Sequence, residues 1–336
     1  MPPSARLAAL EDHLLAWRPR LAARAADEPS RQSTCVRLSA GSVDGLPGLL
    51  VDQFGPLVVG TEYCGPDEGA ATADALLGVL TRCFPQSHVV AKARAAVDGK
   101  NVFVSQAARP AAPQQVPLVA RECGLAYEVG LDPAHDFGIY LDAAKARQYV
   151  RGVAQGKRVL NLFSYTGAFG IAAAAGGAAD VANVDPNREY LAWSLRNAAL
   201  NQVKMRVLPD TTQDFLAKHL RRVERKTAQA FDVVIVDPPA FGVGRGNERL
   251  LRLLWPQIFA SLRVMVPEHV VLLCNDKYFR TRTAFVALVE QELGASYSFT
   301  PLGTTLEREQ MQNCVYVPTV SDPFYSEPTV LAGVRR

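Results

Sequence analysis

From Lys157 onward, short apolar segments alternate with helix-like stretches, and this alternation constrains the fold more than any other feature. The segments VLNLF, ADVANVD, MRVLP, FDVVIVD and HVVLLCN are rich in Val, Ile and Leu along their whole length. Strands apolar on both faces must be covered on both faces, and helices of about a dozen residues between them supply the cover. Such strands run parallel, because a crossover helix returns the chain to the same end of the sheet. The expected architecture is therefore an α/β fold with a seven-stranded, mostly parallel sheet. The last two strands, near SYSFTPL and NCVYVP, are joined too tightly for a crossover helix. They are expected as an antiparallel pair at one sheet edge.

The first part of the chain follows a different pattern. Residues 5–27 read as a helix, with Leu7, Leu10, Leu14 and Leu21 on one face and Arg18, Arg20 and Arg24 among the polar positions. These arginines read as the solvated side of a packing helix. The polar stretch Asp27 to Ser33 ends the periodicity. From Val36 to about Ser105, VRLSAG, LLVDQFG, PLVVGTEYC and SHVVAKAR look like strands, with a helix over 69–82. Residues 107–117 carry three prolines and read as a linker, followed by the hairpin LVARECGLAYEVGL. The expected organisation is a helical segment over 1–35, a small α+β domain over 36–116 and the larger α/β domain with its leading hairpin over 117–336.

Composition narrows the classes further. At 336 residues, 49% hydrophobic and 21% charged, the chain resembles an ordinary globular protein of two domains. No run approaches the eighteen or so apolar residues of a membrane span, and the N-terminus lacks an uninterrupted hydrophobic signal region, so a cytoplasmic protein with no membrane partner is expected. Cys35, Cys64, Cys83, Cys123, Cys274 and Cys314 form no CxxC pair, so neither a metal site nor a disulfide framework is expected. The net charge of +3 leaves a nucleic-acid partner undecided.

Open α/β sheets bind ligands at the carboxyl ends of their strands, and four such ends carry loaded residues. Asn161-Leu-Phe-Ser-Tyr-Thr-Gly167-Ala-Phe-Gly170 runs from a strand into a glycine turn where backbone can approach a ligand closely. Asp185, before Pro186, is placed to accept ribose hydroxyls or to cap the helix that follows. Asp237-Pro238-Pro239-Ala240-Phe241 is a stiff loop lacking two backbone donors, suited to holding a flat base against Phe241. Cys274-Asn275-Asp276-Lys277 offers amide, carboxylate and ammonium groups.

In combination, NLFSYTGAFG, NVDPN and VDPPAF resemble the motif series of the bacterial large-subunit (23S) ribosomal RNA methyltransferases. Upstream, Phe137 to Arg147 is similar to a segment of that superfamily that packs over the methyl donor; Asp142 and Arg147 match its pattern, whereas its first arginine is replaced by Lys145 or by nothing. Val43 to Gly55 resembles the small strand-rich domain that precedes the catalytic one. The resemblance covers roughly residues 36 to 318. It implies a Rossmann-like class I methyltransferase domain, S-adenosylmethionine as cofactor, and 23S ribosomal RNA or a large-subunit precursor as partner. The small α+β domain over 36–116 is then expected to be RNA-binding. Tyr140, Asp142, Arg147, Asn161, Phe163, Ser164, Tyr165, Gly167, Asp185, Pro186, Asp210 and Asp237 are the implied cofactor residues. Asp237, Pro238, Pro239, Phe241, Asn275 and Lys277 are the implied catalytic set. Independently of the resemblance, Arg245 in the Gly-rich loop 242–246 is expected to touch a phosphate.

Two branches of the superfamily differ in chemistry. Cytosine C5 is not nucleophilic by itself, so its methylation needs a cysteine thiolate to add to C6. That branch carries an S-C-S segment after the fifth strand, whereas this chain has Cys274-Asn-Asp-Lys and begins with a helix rather than a PUA domain. Cys274 to Phe279 is similar to the S-N-N-K-x-x-F segment of the guanine-N7 branch, and Leu306 to Tyr316 resembles that branch's C-terminal segment. The expected activity is guanine-N7 methylation of 23S ribosomal RNA. Cytosine-C5 methylation is the first alternative, and a methyl-donor-binding protein that is non-catalytic or acts on small molecules or proteins is the second.

Overall fold

The computed structural model describes residues 3–25, 33–64, 69–97, 100–110, 117–130, 137–239, 247–275, 282–302 and 328–336. They form two compact units, one reaching to Ala144 and the other running from Lys145 and taking in the C-terminal strand.

In the first unit, helix α1 (Pro3–Ala25) precedes strands β1 (Cys35–Ala40), β2 (Leu49–Phe54) and β3 (Leu57–Tyr63). Helix α2 (Gly69–Cys83) then leads to β4 (His88–Val97) and β5 (Lys100–Arg109). The five strands lie side by side in chain order. Only β3 and β4 are parallel, because α2 is the one crossover among them. The leucine spacing of α1 is realised as expected. Leu10, Leu14 and Trp17 are buried with Leu76, Val79 and Leu80 of α2 against Val36, Leu38, Val51, Val58 and Val89 of the sheet. Arg18 donates to the carbonyls of Arg82 and Cys83, and Arg20 lies over the Trp17 ring at 5.2 Å. Both serve the helix's own packing.

Strand β5 was not legible beforehand. Ala107 to Arg109, expected in a linker, continue it and pair with Val89 to Ala91. The first proline, Pro110, falls just past the last paired residue, so nothing interrupts the ladder earlier. The expected hairpin forms as β6 (Leu118–Glu122) and β7 (Leu125–Val129), turning at Cys123 and Gly124 with φ of +49° and +82°. Two left-handed residues at a two-residue hairpin turn match the right-handed twist of the strands. Thr34 ties this hairpin to the first unit through Thr34 N–H to Arg121 O and Arg121 N–H to Thr34 Oγ1, both 2.8 Å.

The second unit is the expected α/β sandwich. After α3 (Ala144–Val153), the order is β8 (Arg158–Leu162), α4 (Ala168–Ala175), β9 (Asp180–Val184), α5 (Arg188–Leu200) and β10 (Arg206–Leu208). There follow α6 (Thr212–Glu224), β11 (Val233–Val236), α7 (Asn247–Met265), β12 (His269–Asn275), α8 (Arg282–Leu293), β13 (Tyr297–Pro301) and β14 (Pro328–Arg335). The seven strands lie in the order β10-β9-β8-β11-β12-β14-β13. The first five are mutually parallel. Alternate residues of these strands, among them Leu160, Leu162, Val234, Val236, Val270 and Leu272, pack against Trp255, Ile258 and Phe259 of α7 and Phe285 and Val289 of α8.

The antiparallel pair at the sheet edge forms with another strand. Among the described residues the partner of β13 is β14, and NCVYVP lies outside the described residues. Strand β14 enters between β12 and β13 and is antiparallel to both. Insertion there covers the edge that β12 would otherwise leave open. Among the described residues no helix is long and apolar enough to cross a membrane.

Candidate active site

Strand register brings the loaded strand ends of the second unit to one level. Leu162 of β8 pairs with Val184 of β9 and with Val236 of β11, and Val184 also pairs with Leu208 of β10. The next residues, Phe163, Asp185, Pro209 and Asp237, therefore leave the sheet together. Strand β8 separates Asp185 from Asp237, so their backbones stand about 10 Å apart. The chain order reverses between β8 and β11, and that is where an open α/β sheet has its crevice.

The loop after β8 is wound tightly. Phe163, Tyr165 and Gly167 have φ of +57°, +48° and +80°, so three left-handed residues alternate with two that are not. Left-handed backbone costs a non-glycine residue about 1–2 kcal/mol, and hydrogen bonds offset it here. Ser164 N–H donates to Val184 O at 3.0 Å, Gly167 N–H to Ser164 O at 2.8 Å, and Tyr165 N–H to Asp185 Oδ2 at 3.0 Å. Gly167 then begins α4 as its N-cap.

Beneath this loop lies a buried polar ladder that the sequence reading missed. Asn161 and Asn183 sit directly opposite each other on β8 and β9, and Asn161 Nδ2 donates to Asn183 Oδ1 at 2.8 Å. Asn183 Nδ2 in turn reaches Ser194 Oγ of α5 at 3.3 Å, while Asn197 Nδ2 donates to Thr166 O at 3.1 Å. The two glycines make room for this ladder. A Cβ on Gly167 would stand 2.1 Å from Ser194 Oγ, and one on Gly170 would stand 2.3 Å from Asn183 Oδ1. Asn161, expected beside the cofactor, is buried and takes part in this ladder through its Nδ2. An asparagine in the middle of two otherwise apolar strands was the available signal, since a buried amide needs a partner.

Asp185 is 8% exposed and its carboxylate organises two backbones. Oδ2 accepts from Tyr165 N–H, and Oδ1 accepts from Asn187 N–H at 2.9 Å. It is not the cap of the following helix; Asn187 is, accepting from Glu189 and Tyr190 N–H. Burial pushes the Asp185 carboxyl above the usual carboxylate range, against the pull of those two donors. Each oxygen keeps a further acceptor direction after one backbone bond. Pro186 beside it is exposed. The Tyr165 ring packs edge-on against Tyr190, with centroids 4.6 Å apart.

The remaining expected residues divide by position. Asp237 is half-buried at the end of β11, Pro238 is buried and Pro239 exposed. Asp210, after β10, bonds Thr211 N–H and is ion-paired to Lys218 at 2.6 Å. Arg147 of α3 is buried with its guanidinium 5.8 Å from the Phe169 ring. Tyr140 and Asp142 belong to the first unit, where Tyr140 precedes a 3-10 turn over Leu141–Ala143. Asn275 ends β12, and Phe241, Arg245 and Lys277 lie outside the described residues. Among the described residues no group of three His, Cys, Asp or Glu side chains is arranged to hold a metal ion.

An open α/β sheet with a wound glycine loop after β8 and a buried acid after β9 defines a nucleoside-binding domain of the Rossmann-like class. Residues 56–278 match the S-adenosylmethionine-dependent methyltransferase family, and the chain belongs to it. A protein from Erwinia tasmaniensis named ribosomal RNA large subunit methyltransferase I is 34% identical over 214 residues, covering 61% of this chain and 51% of that protein. The protein of the same name from Serratia proteamaculans is 32% identical with the same coverage. The chain thus spans about half the length of the curated relatives it matches. A solved structure from Streptococcus mutans, described as a SAM-dependent methyltransferase, superposes with a TM-score of 0.71 at 22% identity over 99% of this chain and 82% of that one. A SAM-dependent methyltransferase from Agrobacterium tumefaciens gives a TM-score of 0.56 at 18% identity, over 89% of this chain and 88% of that one.

The site fits the family's cofactor, S-adenosylmethionine. Ser164 Oγ is buried without a protein partner, so the loop holds a hydroxyl still to be satisfied. The desolvated Asp185 carboxylate is an acceptor for paired hydroxyls.

Proposed function

We propose that the protein methylates a base of large-subunit ribosomal RNA, and that the base is guanine, at N7. The names of its relatives support ribosomal RNA as the substrate class. The observation that carries the choice of base is the burial of Cys274. Its side chain is 1% exposed and packs in the hydrophobic cluster of the second unit. Among the described residues it is the only cysteine of that unit. A thiol buried in a hydrophobic cluster is kept from contact with a pyrimidine ring, as structural cysteines are.

Guanine N7 carries its own lone pair, so the reaction needs neither a protein nucleophile nor a base. Bound S-adenosylmethionine supplies an electrophilic methyl group on a sulfonium. The protein's contribution is then approximation in a site from which water is excluded. Asp185 would hold the ribose hydroxyls, with Phe163, Ser164 and Gly167 along the same loop and Asp210 toward the adenine. The Asp237-Pro238-Pro239 turn would present the target base, extruded from an RNA helix or loop, with Phe241, Asn275 and Lys277 assisting. Arg147 of α3 would help hold the donor, and by the resemblance Tyr140 and Asp142 are further candidates for that role.

The test is transfer of labelled methyl from S-adenosylmethionine to purified large-subunit RNA, followed by digestion to nucleosides and mass spectrometry. 7-Methylguanosine is expected. 5-Methylcytidine would replace the guanine assignment by the cytosine one, and label in protein alone would remove RNA as the substrate.

A further inference from the structure

We infer an RNA-gripping surface on helix α6 and the edge strand β10 of the catalytic unit. The inference rests on the RNA reading above and adds where the phosphate backbone is held.

Residues 204–226 contain seven Lys or Arg and three Asp or Glu, a net charge of +4, whereas the whole chain carries only +3. The remaining 313 residues are therefore slightly acidic in sum, and this one segment holds the positive excess. All seven cations are exposed. Lys218, Arg221, Arg222 and Arg225 recur at helical spacing, so they form a stripe along one side of α6 and its C-cap. At 1.5 Å per residue the stripe is about 10 Å long, enough to meet several phosphates of a duplex. Arg206 begins β10, the outer strand of the sheet among the described residues, and Lys204 lies two residues before it.

Two of these cations already have partners: Arg206 is ion-paired with Asp180, and Lys218 with Asp210. Lys204, Arg221, Arg222, Arg225 and Lys226 have no acidic partner among the described residues. Unpaired cations that repel one another on a helix cost stability, and a polyanion laid across them removes that cost. Between Arg206 on the strand and Lys218 and Arg222 on the helix, the surface dips into a cavity of about 330 Å³ whose lining carries Arg158, Arg206, Lys218 and Arg222 against one acid, Asp210. The chemistry that fits an extended cationic stripe beside such a recess is a phosphodiester backbone. Contacts of this kind position the substrate without reading its sequence.

The test uses the full chain with Arg221→Glu, Arg222→Glu and Arg225→Glu combined, and a milder Arg→Gln version of the same triple. Affinity for large-subunit RNA is measured by anisotropy over a salt series, with S-adenosylmethionine affinity measured by calorimetry as the check on the fold. The inference expects a log-log salt slope shallower by about 2–3 in the triple variants, with unchanged cofactor affinity. A wild-type slope in both variants overturns this surface and leaves the RNA reading intact. Absence of RNA binding by the wild-type chain overturns both.

Discussion

Replacing Gly167 by alanine tests whether the glycine loop is held by the buried polar ladder. Two costs separate cleanly here. Gly167 has φ of +80°, so any side chain pays the left-handed backbone penalty of about 1–2 kcal/mol. The new Cβ would also stand 2.1 Å from Ser194 Oγ and 3.0 Å from Ser194 Cβ. Displacing packed groups of this kind costs about 1–3 kcal/mol more, for about 2–5 kcal/mol in all. Gly156 is the internal control, since its φ is +71° and nothing lies within 4 Å of a Cβ built there. Gly156→Ala should lose only the backbone share of about 1–2 kcal/mol. Urea denaturation of both variants, with constant m-values, gives the difference. Adding Ser194→Ala to Gly167→Ala removes the nearest atom and should restore part of the steric loss, a coupling of about 0.5–3 kcal/mol. Equal losses at Gly167 and Gly156, with no coupling to Ser194, would refute the packing argument.

Asp185→Ala should weaken S-adenosylmethionine binding by about 1.5–3 kcal/mol, the range for hydrogen bonds to a charged group, and calorimetry on the folded variant reads it. Unchanged affinity would take Asp185 out of the site. Burial holds His219 and His269 below the ordinary value of 6.5, so the unfolded chain binds more protons than the folded one as pH falls. Their contribution to stability is therefore fully present above pH 6.5 and is lost as pH drops below it. Denaturation midpoints that do not fall between neutral pH and pH 5.5 would contradict this. Cys274→Ala should fold and keep most of its methyl-transfer activity, and 5-fluorocytosine-substituted RNA should trap no covalent adduct. Total loss of activity, or an adduct that vanishes with the substitution, would restore the cytosine reading.

Asp185 and Asp237 stood out early because each is an acid that closes an apolar strand, a pattern visible without knowing what lies beside it. Register then adds what spacing cannot: β8 pairs with both flanking strands at the same residue, which brings the two acids out level. Gly167 and Gly170 were legible as positions needing close approach. What approaches them most closely is Ser194 and Asn183, from a helix and a strand later in the chain.

Local pattern by itself determined the parallel part of the sheet, the leucine face of α1 and the hairpin turn at Cys123-Gly124. Each depends on residues within one or two turns of helix or strand, where periodicity and backbone preference act directly. Tertiary structure alone decided that β14 slips between β12 and β13, and that β5 runs on to Arg109. It also decided that the hairpin after β5 joins the first unit, and that Asn161 meets Asn183. These outcomes turn on which edge is open and which buried amide finds a partner. Such contacts join segments far apart in the chain, and no local periodicity encodes them.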